Sequence, residues 1–259
     1  LLSDNYFEVE IIAFGTHLSS FHGYTFKDIA KLGCAVNYKI ESLILGDSIE
    51  ANATATALTA MKFSSFWAEH ANKFDLVFCV GDRFEMYGAV LAGIPFRIRF
   101  AHLHGGEKTL GAIDDIYRQS ISHASWIHFT ANDFFSKRVN QLIDSEYNVF
   151  TVGALSLDNL HNMDLLSLDS FKAKWSLDIS RPFVLVTFHP ETVSFEKNEV
   201  YVYEVVDTVK ELSKDYDIVI TMPNVDAFGS MIRKVYETEL QNLTGIFLIE
   251  NFGTQSYYT

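Results

Sequence analysis

Strand-length apolar runs alternate along this chain with longer segments of helical periodicity, and few folds satisfy that alternation. The runs Val9 to Phe14, Asn37 to Leu43, Leu76 to Val80, Ile98 to Leu103, Ile127 to Thr130 and Val149 to Val152 are separated by helical patterns. Those patterns lie near Thr25 to Leu32, Ile49 to Asn72, Phe84 to Leu91, Ile113 to Ala124 and Asp133 to Leu142. Strands buried on both faces read as continuous apolar runs, and repeated βα units imply a parallel sheet. The expected fold class is therefore α/β, with a doubly wound first half.

Gly153 is followed by a stretch of short helical pieces and turn residues, after which a second series begins. Its strands are expected at Phe183 to Phe188, Ile218 to Met222 and Ile246 to Glu250, and its helices near Glu196 to Leu212 and Ala227 to Leu240. A boundary near residues 155 to 165 gives two Rossmann-like halves, 1–158 and 159–259, with a cleft between them. The second half carries only three strands, and a strand is expected to be missing ahead of the first half. Both ends read as cut.

Charge and composition remove several function classes. Twenty Lys and Arg against 33 Asp and Glu give a net charge of −13, which argues against a nucleic-acid partner, since that affinity comes largely from phosphate neutralisation by cations. No apolar run approaches ~20 residues and the first residues lack a basic region before an apolar core, so no membrane partner and no signal peptide are expected. A cytoplasmic protein is the simple reading. Cys34 and Cys79 stand far apart without the Cys or His neighbours of a zinc site. Cys79 is expected to be a small core residue, and a disulfide framework is excluded. There is no GxGxxG fingerprint and no Walker A sequence, so neither a dinucleotide cofactor nor a metal is expected.

Ligands of open α/β sheets sit beyond the carboxyl ends of the strands. Asp82 and Arg83 follow one strand, His104 to Glu107 another, His189 a third, and Asn224 with Asp226 a fourth, while Asp114 and Asp115 open a helix. Each position also has a plainer reading. Asp82 fits a cap for the helix at Phe84, and Asp114 or Asp115 a cap for the helix through Ala124. Glu107 fits a surface pair with Lys108 or Arg118, and His189 with Pro190 fits the end of a strand. Tyr117 and Phe129 are expected in the core. Convergence of several acids, histidines and an arginine on strand ends favours a site.

The ordered segments GDRFEM, AHLHGGEKTLGAIDD-x-x-R, VGALSLDNL, TFHPET and MPNVDAFG resemble the UDP-N-acetylglucosamine 2-epimerase family, above all its hydrolysing branch, which makes N-acetylmannosamine for sialic acid synthesis. The resemblance runs from GTHLS at Gly15 to ENFG at Glu250. It implies two Rossmann-like domains of the glycosyltransferase-B type, a UDP-sugar partner and a homo-oligomer, dimer or tetramer. It implies elimination of UDP across C1 and C2 to a glycal, then hydration at C1 with reprotonation at C2. By motif, Asp82, Glu107, Asp114 and His189 are the catalytic candidates. Arg83, His104, Asp115, His189, Asn224 and Asp226 are the nucleotide-sugar-binding ones.

Members that carry HIEGGE place a glutamate where this chain has His104, so either His104 replaces that glutamate or Glu107 supplies the carboxylate. The expectation here is Glu107. A Gly-Thr-Arg type loop and a Gly-Asn-Ser-Ser-Gly type loop of the family pattern fall outside these 259 residues, so this polypeptide by itself is expected not to turn over. A relative acting on a diacetamido-trideoxy sugar or a GDP-sugar, a retaining glycosyltransferase and a noncatalytic sugar-nucleotide-binding module are the alternatives.

Overall fold

Nine strands and ten helices follow the expected alternation in a computed structural model that describes residues 4–20, 24–31, 35–44, 46, 48–161, 163–177, 179, 181–223 and 228–259. The chain divides into two compact units. The first comprises Leu1–Thr109 and Asp114–Gly153, and the second Leu110–Ile113 and Ala154–Thr259. Within the second unit, the Gly111 carbonyl accepts the N–H groups of Thr192 and Val193, and Ile113 donates to Thr192 Oγ1 at 2.9 Å.

In the first unit, β1 (Ile11–Phe14) pairs in parallel with β2 (Val36–Ile40), with α1 (Phe26–Lys31) between them in sequence. β3 (Val77–Val80), β4 (Phe100–Leu103), β5 (Ile127–Thr130) and β6 (Val149–Thr151) form a second parallel sheet in that order. The six strands thus form two hydrogen-bonded sheets rather than one. A cavity of about 1000 Å³ is lined by residues of both, including Ile12 and Phe14 of β1 and Val77 and Cys79 of β3. The two sheets nevertheless share one core, because both pack on α2 (Ile49–His70).

α2 starts where the Ser48 hydroxyl accepts the Ala51 N–H at 3.0 Å, a side-chain cap for an otherwise unpaired donor. It buries Ala55, Thr59, Phe63, Phe66 and Trp67, a stripe at helical spacing. Alternation then sorts the sheet residues. Cys79, Phe100, His102, His128 and Thr130 face a covered side, whereas Phe78, Val80, Phe150 and Val152 are about half exposed. Phe129 is therefore no core residue. It stacks between Phe78 and Phe150 on the less covered face, with ring centroids 6.0 and 5.9 Å away. Cys79 is buried, its Sγ is 3.5 Å from the Ala101 carbonyl, and burial pushes its thiol up to about 12. Cys34 lies outside the described residues.

In the second unit β7 (Phe183–Thr187), β8 (Asp217–Thr221) and β9 (Ile246–Ile249) form a three-stranded parallel sheet. Every residue of β8 is buried. One side packs Ile218 and Ile220 against Val202, Val206 and Val209 of α8 (Asn198–Leu212) and Ile232 and Tyr236 of α9 (Gly229–Glu239). The other packs Val219 against Phe171, Leu177, Ile179 and Phe252. Phe171 belongs to α7 (Leu168–Trp175), which is preceded by α6 (Leu155–His161), and Phe252 leads into α10 (Gly253–Tyr258).

Candidate active site

The candidate residues of the first unit gather where β3 and β4 end and α4 (Asp114–Ala124) begins. Parallel pairing sets the level: Val80 lies beside Leu103, and Gly81 donates its N–H to the Leu103 carbonyl at 3.1 Å. His104 therefore leaves its strand opposite Gly81, one residue before Asp82 on the adjacent strand. Asp82 does not cap α3 (Phe84–Gly93). The cap position is Arg83, which makes no side-chain cap bond, and the Asp82 carboxylate instead accepts from the Arg118 guanidinium.

Arg118 is buried on α4 and reaches a second acid, donating from Nη1 to Asp115 Oδ1 at 3.4 Å, while among the described residues its Nε has no partner. Asp115 also accepts the Thr109 N–H at 2.9 Å. It therefore ties the loop after β4 to the helix instead of capping the helix. One cation fixes two carboxylates that lie 33 residues apart in sequence. Removing a buried cation from two such acids leaves uncompensated charge, a costly change. Asp114 sits close enough to Tyr117 that its charge adds to burial in raising the Tyr117 hydroxyl above its ordinary value. Tyr117 is half-buried and packs on Tyr87 with centroids 5.3 Å apart.

The two histidines of the HLH run are built differently. His102 is fully buried, with Nδ1 2.9 Å from Ser122 Oγ and Nε2 2.8 Å from the Gly81 carbonyl. Burial lowers its pKa to about 4, against a smaller opposing effect of the Gly81 carbonyl. His104 is partly exposed, and its Nδ1 lies 2.8 Å from Glu107 Oε1. Glu107 thus pairs with neither Lys108 nor Arg118 but with a histidine of its own loop. The intervening glycines have a steric reason: a Cβ at Gly105 would lie 2.9 Å from Ser122 Oγ, and one at Gly106 (φ +79°) 2.4 Å from the Phe135 carbonyl oxygen. Phe135 belongs to α5 (Asp133–Ile143).

Arg83 folds back on its own helix, its Nε donating to the buried Glu85 at 3.1 Å and its guanidinium lying 5.5 Å from the Phe84 ring centroid. In the second unit His189 is exposed just beyond β7 and Pro190 is buried. That loop is pinned by Asn198, fully buried, which accepts the Glu191 N–H at 2.9 Å and donates to the Glu191 carbonyl at 2.8 Å. Asn224 and Asp226 lie outside the described residues. Sequence reasoning missed His102, Ser122 and Asn198 as structural partners, and it offered Arg118 to Glu107 where the structure gives it to Asp82 and Asp115. The arginine of IDD-x-x-R was the available signal, since three- and four-residue spacing puts it on the helix face of Asp115 and Asp114.

Among the described residues, no group of three or more His, Cys, Asp or Glu side chains could hold a metal ion, and no helix is long and apolar enough to cross a membrane.

A family described as UDP-N-acetylglucosamine 2-epimerase matches residues 1–259. The GDP/UDP-N,N'-diacetylbacillosamine 2-epimerase (hydrolyzing) of Campylobacter jejuni is 31% identical over 258 residues, covering 98% of this chain and 66% of that protein. The UDP-N,N'-diacetylbacillosamine 2-epimerase (hydrolyzing) of Legionella pneumophila is 28% identical over 89% of this chain and 60% of its own length. The chain thus spans less than two thirds of the length of these curated relatives. The crystal structure of UDP-GlcNAc 2-epimerase from Neisseria meningitidis bound to UDP-GlcNAc matches with a TM-score of 0.73 at 14% identity, covering 96% of this chain and 74% of that one. The likeness shows the fold, two Rossmann-like units of the glycosyltransferase-B type.

Proposed function

The chain belongs to the UDP-N-acetylglucosamine 2-epimerase family, and on that premise we propose that the full-length protein is a hydrolysing sugar-nucleotide 2-epimerase. Its substrate class is a nucleoside-diphosphate-linked 2-acetamido sugar, with UDP-N-acetylglucosamine first and N-acetylmannosamine and UDP as products. The single observation that carries this reading is the cluster at the ends of β3 and β4. There Asp82, the His104–Glu107 pair and the first turn of α4 are held together by Arg118 and by backbone bonds.

The chemistry calls for such a cluster. As the C2 proton leaves, its electron pair forms the C1 to C2 double bond and the bond from C1 to the diphosphate oxygen breaks. Water then adds its oxygen at C1 and C2 regains a proton from the opposite face. Each transfer needs a positioned acid or base, worth roughly 100- to 10,000-fold in rate. Asp82, Glu107 and Asp114 are the groups we assign to this work in the first unit. His189 is assigned to the departing diphosphate, whose developing charge a donor stabilises. Arg83, His104, Asp115, Asn224 and Asp226 are assigned to the nucleotide sugar.

A second reading takes a diacetamido-trideoxy sugar linked to UDP or GDP as substrate. The relatives named for N,N'-diacetylbacillosamine match 98% and 89% of this chain, whereas the UDP-N-acetylglucosamine 2-epimerase of Neisseria meningitidis matches 71% of it at 28% identity. Incubating the protein with a panel of UDP- and GDP-linked sugars, and identifying products without any acceptor or nicotinamide, tests both readings. Release of free 2-epimerised sugar and nucleoside diphosphate is expected. A product that retains the nucleotide, or a requirement for an acceptor, excludes a hydrolysing epimerase.

A further inference from the structure

We propose that His104 and Glu107 form one proton-transfer unit in which Glu107 orients the ring and His104 Nε2 takes the proton from C2 of the sugar. This deepens the reaction proposed above and rests on it, and it moves the direct role in the loop from Glu107 to His104. The first observation is the pair itself, Nδ1 to Oε1 at 2.8 Å. A carboxylate that accepts from Nδ1 leaves Nε2 of a neutral imidazole with its lone pair outward, the tautomer of a base. Among the described residues Nε2 of His104 makes no hydrogen bond, whereas both ring nitrogens of the neighbouring His102 are engaged and its ring is inaccessible. Of the two histidines, only His104 can meet a ligand.

The backbone supplies the second observation. His104 adopts φ +67°, the left-handed region, although it is not glycine. A non-glycine residue there costs on the order of 1 kcal/mol or more and persists only when its surroundings impose it. Those surroundings are visible: the His104 N–H donates to the Phe129 carbonyl at 2.9 Å, and the two glycines that follow are pressed against α4 and α5. The loop cannot relax without breaking that packing. A strained residue at a strand end, with its ring aimed by a carboxylate three residues on, is a positioned base rather than a surface pair.

Placement is the third. Strand register sets His104 opposite Gly81 on the adjacent strand, the residue that precedes Asp82, so the two proton-carrying residues leave neighbouring strand ends within one residue of the same level. Asp82 is tied to Arg118, while the His104 side chain remains about one-quarter exposed. In the step assigned to it, Nε2 gains the C2 proton, the C–H electrons become the double bond, and the C1–O electrons leave with the diphosphate.

The test compares His104→Gln, Glu107→Gln, the double variant and His104→Glu in the full-length protein, using the sugar nucleotide it cleaves, with and without deuterium at C2. Expected are a loss of kcat of roughly 100-fold or more in His104→Gln with little change in KM, and roughly 10-fold in Glu107→Gln. The double variant should be no worse than His104→Gln, because Glu107 acts only through the ring. His104→Glu should recover part of the loss, and the deuterium effect should grow when the ring is removed. If Glu107→Gln matches the double variant while His104→Gln keeps near-normal turnover, Glu107 is the direct carrier and the proposal is overturned, leaving the reaction intact. For variants that do not fold, ring ¹⁵N shifts of His104 in the unaltered protein decide: a proton on Nδ1 in the neutral ring is expected, and one on Nε2 overturns the pair. Failure of the unaltered protein to cleave any of the sugar nucleotides overturns the reaction and this inference with it.

Discussion

The buried middle strands of the two units are built on different principles. β8 is Asp-Ile-Val-Ile-Thr, buried throughout, and its three apolar residues pack on aliphatic and aromatic side chains from both sides. β4 and β5 are also largely buried, yet they carry His102 and His128 opposite each other in register, both fully inaccessible. The arginines differ in the same sense. Arg181, in the second unit, donates to the Asp217 carboxylate and to the carbonyls of Ser213, Lys214 and Tyr216. Arg118 grips two carboxylates, one in the loop after β3 and one on its own helix, and among the described residues its buried Nε has no partner. A purely structural polar group uses its bonding capacity on the scaffold. Buried polar atoms without a partner among the described residues occur in both units, Arg118 Nε in the first and Trp175 Nε1 and Tyr236 Oη in the second, so the two arginines differ in what they hold: acids at strand ends for Arg118, one acid and backbone carbonyls of the scaffold for Arg181.

Acid should expose this difference most strongly. Burial lowers the pKa values of both His102 and His128 to about 4, the Ser125 backbone giving His128 only slight relief. Among the described residues neither ring nitrogen of His128 has a partner within hydrogen-bond geometry, so the Ser125 backbone acts on the ring only from outside that geometry. In the unfolded chain these rings take up protons near 6.5, so between that value and 4 the unfolded state binds more protons. Stability is then full above about pH 6.5 and declines as pH falls towards 4, by roughly 3 kcal/mol per ring at the end of the window. Hydrogen exchange at pH 4.5 against pH 7 should show β4 and β5 losing protection while β8 keeps it. Equal loss in both sheets would erase the contrast.

Next in size is Asp82→Asn, expected to lower turnover by roughly 100-fold or more in a folded protein. Near-normal turnover would remove Asp82 from the mechanism. Arg181→Ala should instead cost about 2 kcal/mol of stability through its lost hydrogen bonds, without altering turnover per folded molecule. Denaturant titration alongside the product assay separates the two quantities. The smallest effect is expected for Arg118→Lys, which retains the charge but loses the planar fork that reaches Asp82 and Asp115 together. Turnover should drop about 10-fold with folding preserved. Unchanged turnover there, combined with lost turnover in Arg181→Ala, would reverse the assignment of pin and site.

Much of the architecture was legible because burial writes itself into periodicity. Ile127–Thr130 is a strand over the expected residues, and β6, α3 and α5 agree to within two residues at each end. The strand expected from Ile98 begins only at Phe100, since Pro95 lies in a tight turn and Arg97 adopts a left-handed conformation (φ +56°) that delays the extended backbone. The separation of β1–β2 from β3–β6 was not legible. An apolar run shows that a strand is buried, not which neighbour it pairs with.

By itself the sequence determined the alternation of elements, the α/β class and the placement of Asp82, Arg83, His104, Glu107 and His189 immediately after strands, since these follow from local pattern. Only the tertiary structure decided what those side chains meet. Asp82 lies 36 residues from Arg118, and His102 lies 20 from Ser122 and 21 from Gly81. Those meetings depend on strand register and on how α4 lies across the sheet. Even the three-residue pairing of His104 with Glu107 needed it, because two glycines between them admit many conformations. Packing against Ser122 and Phe135 selects the one that brings carboxylate and imidazole together.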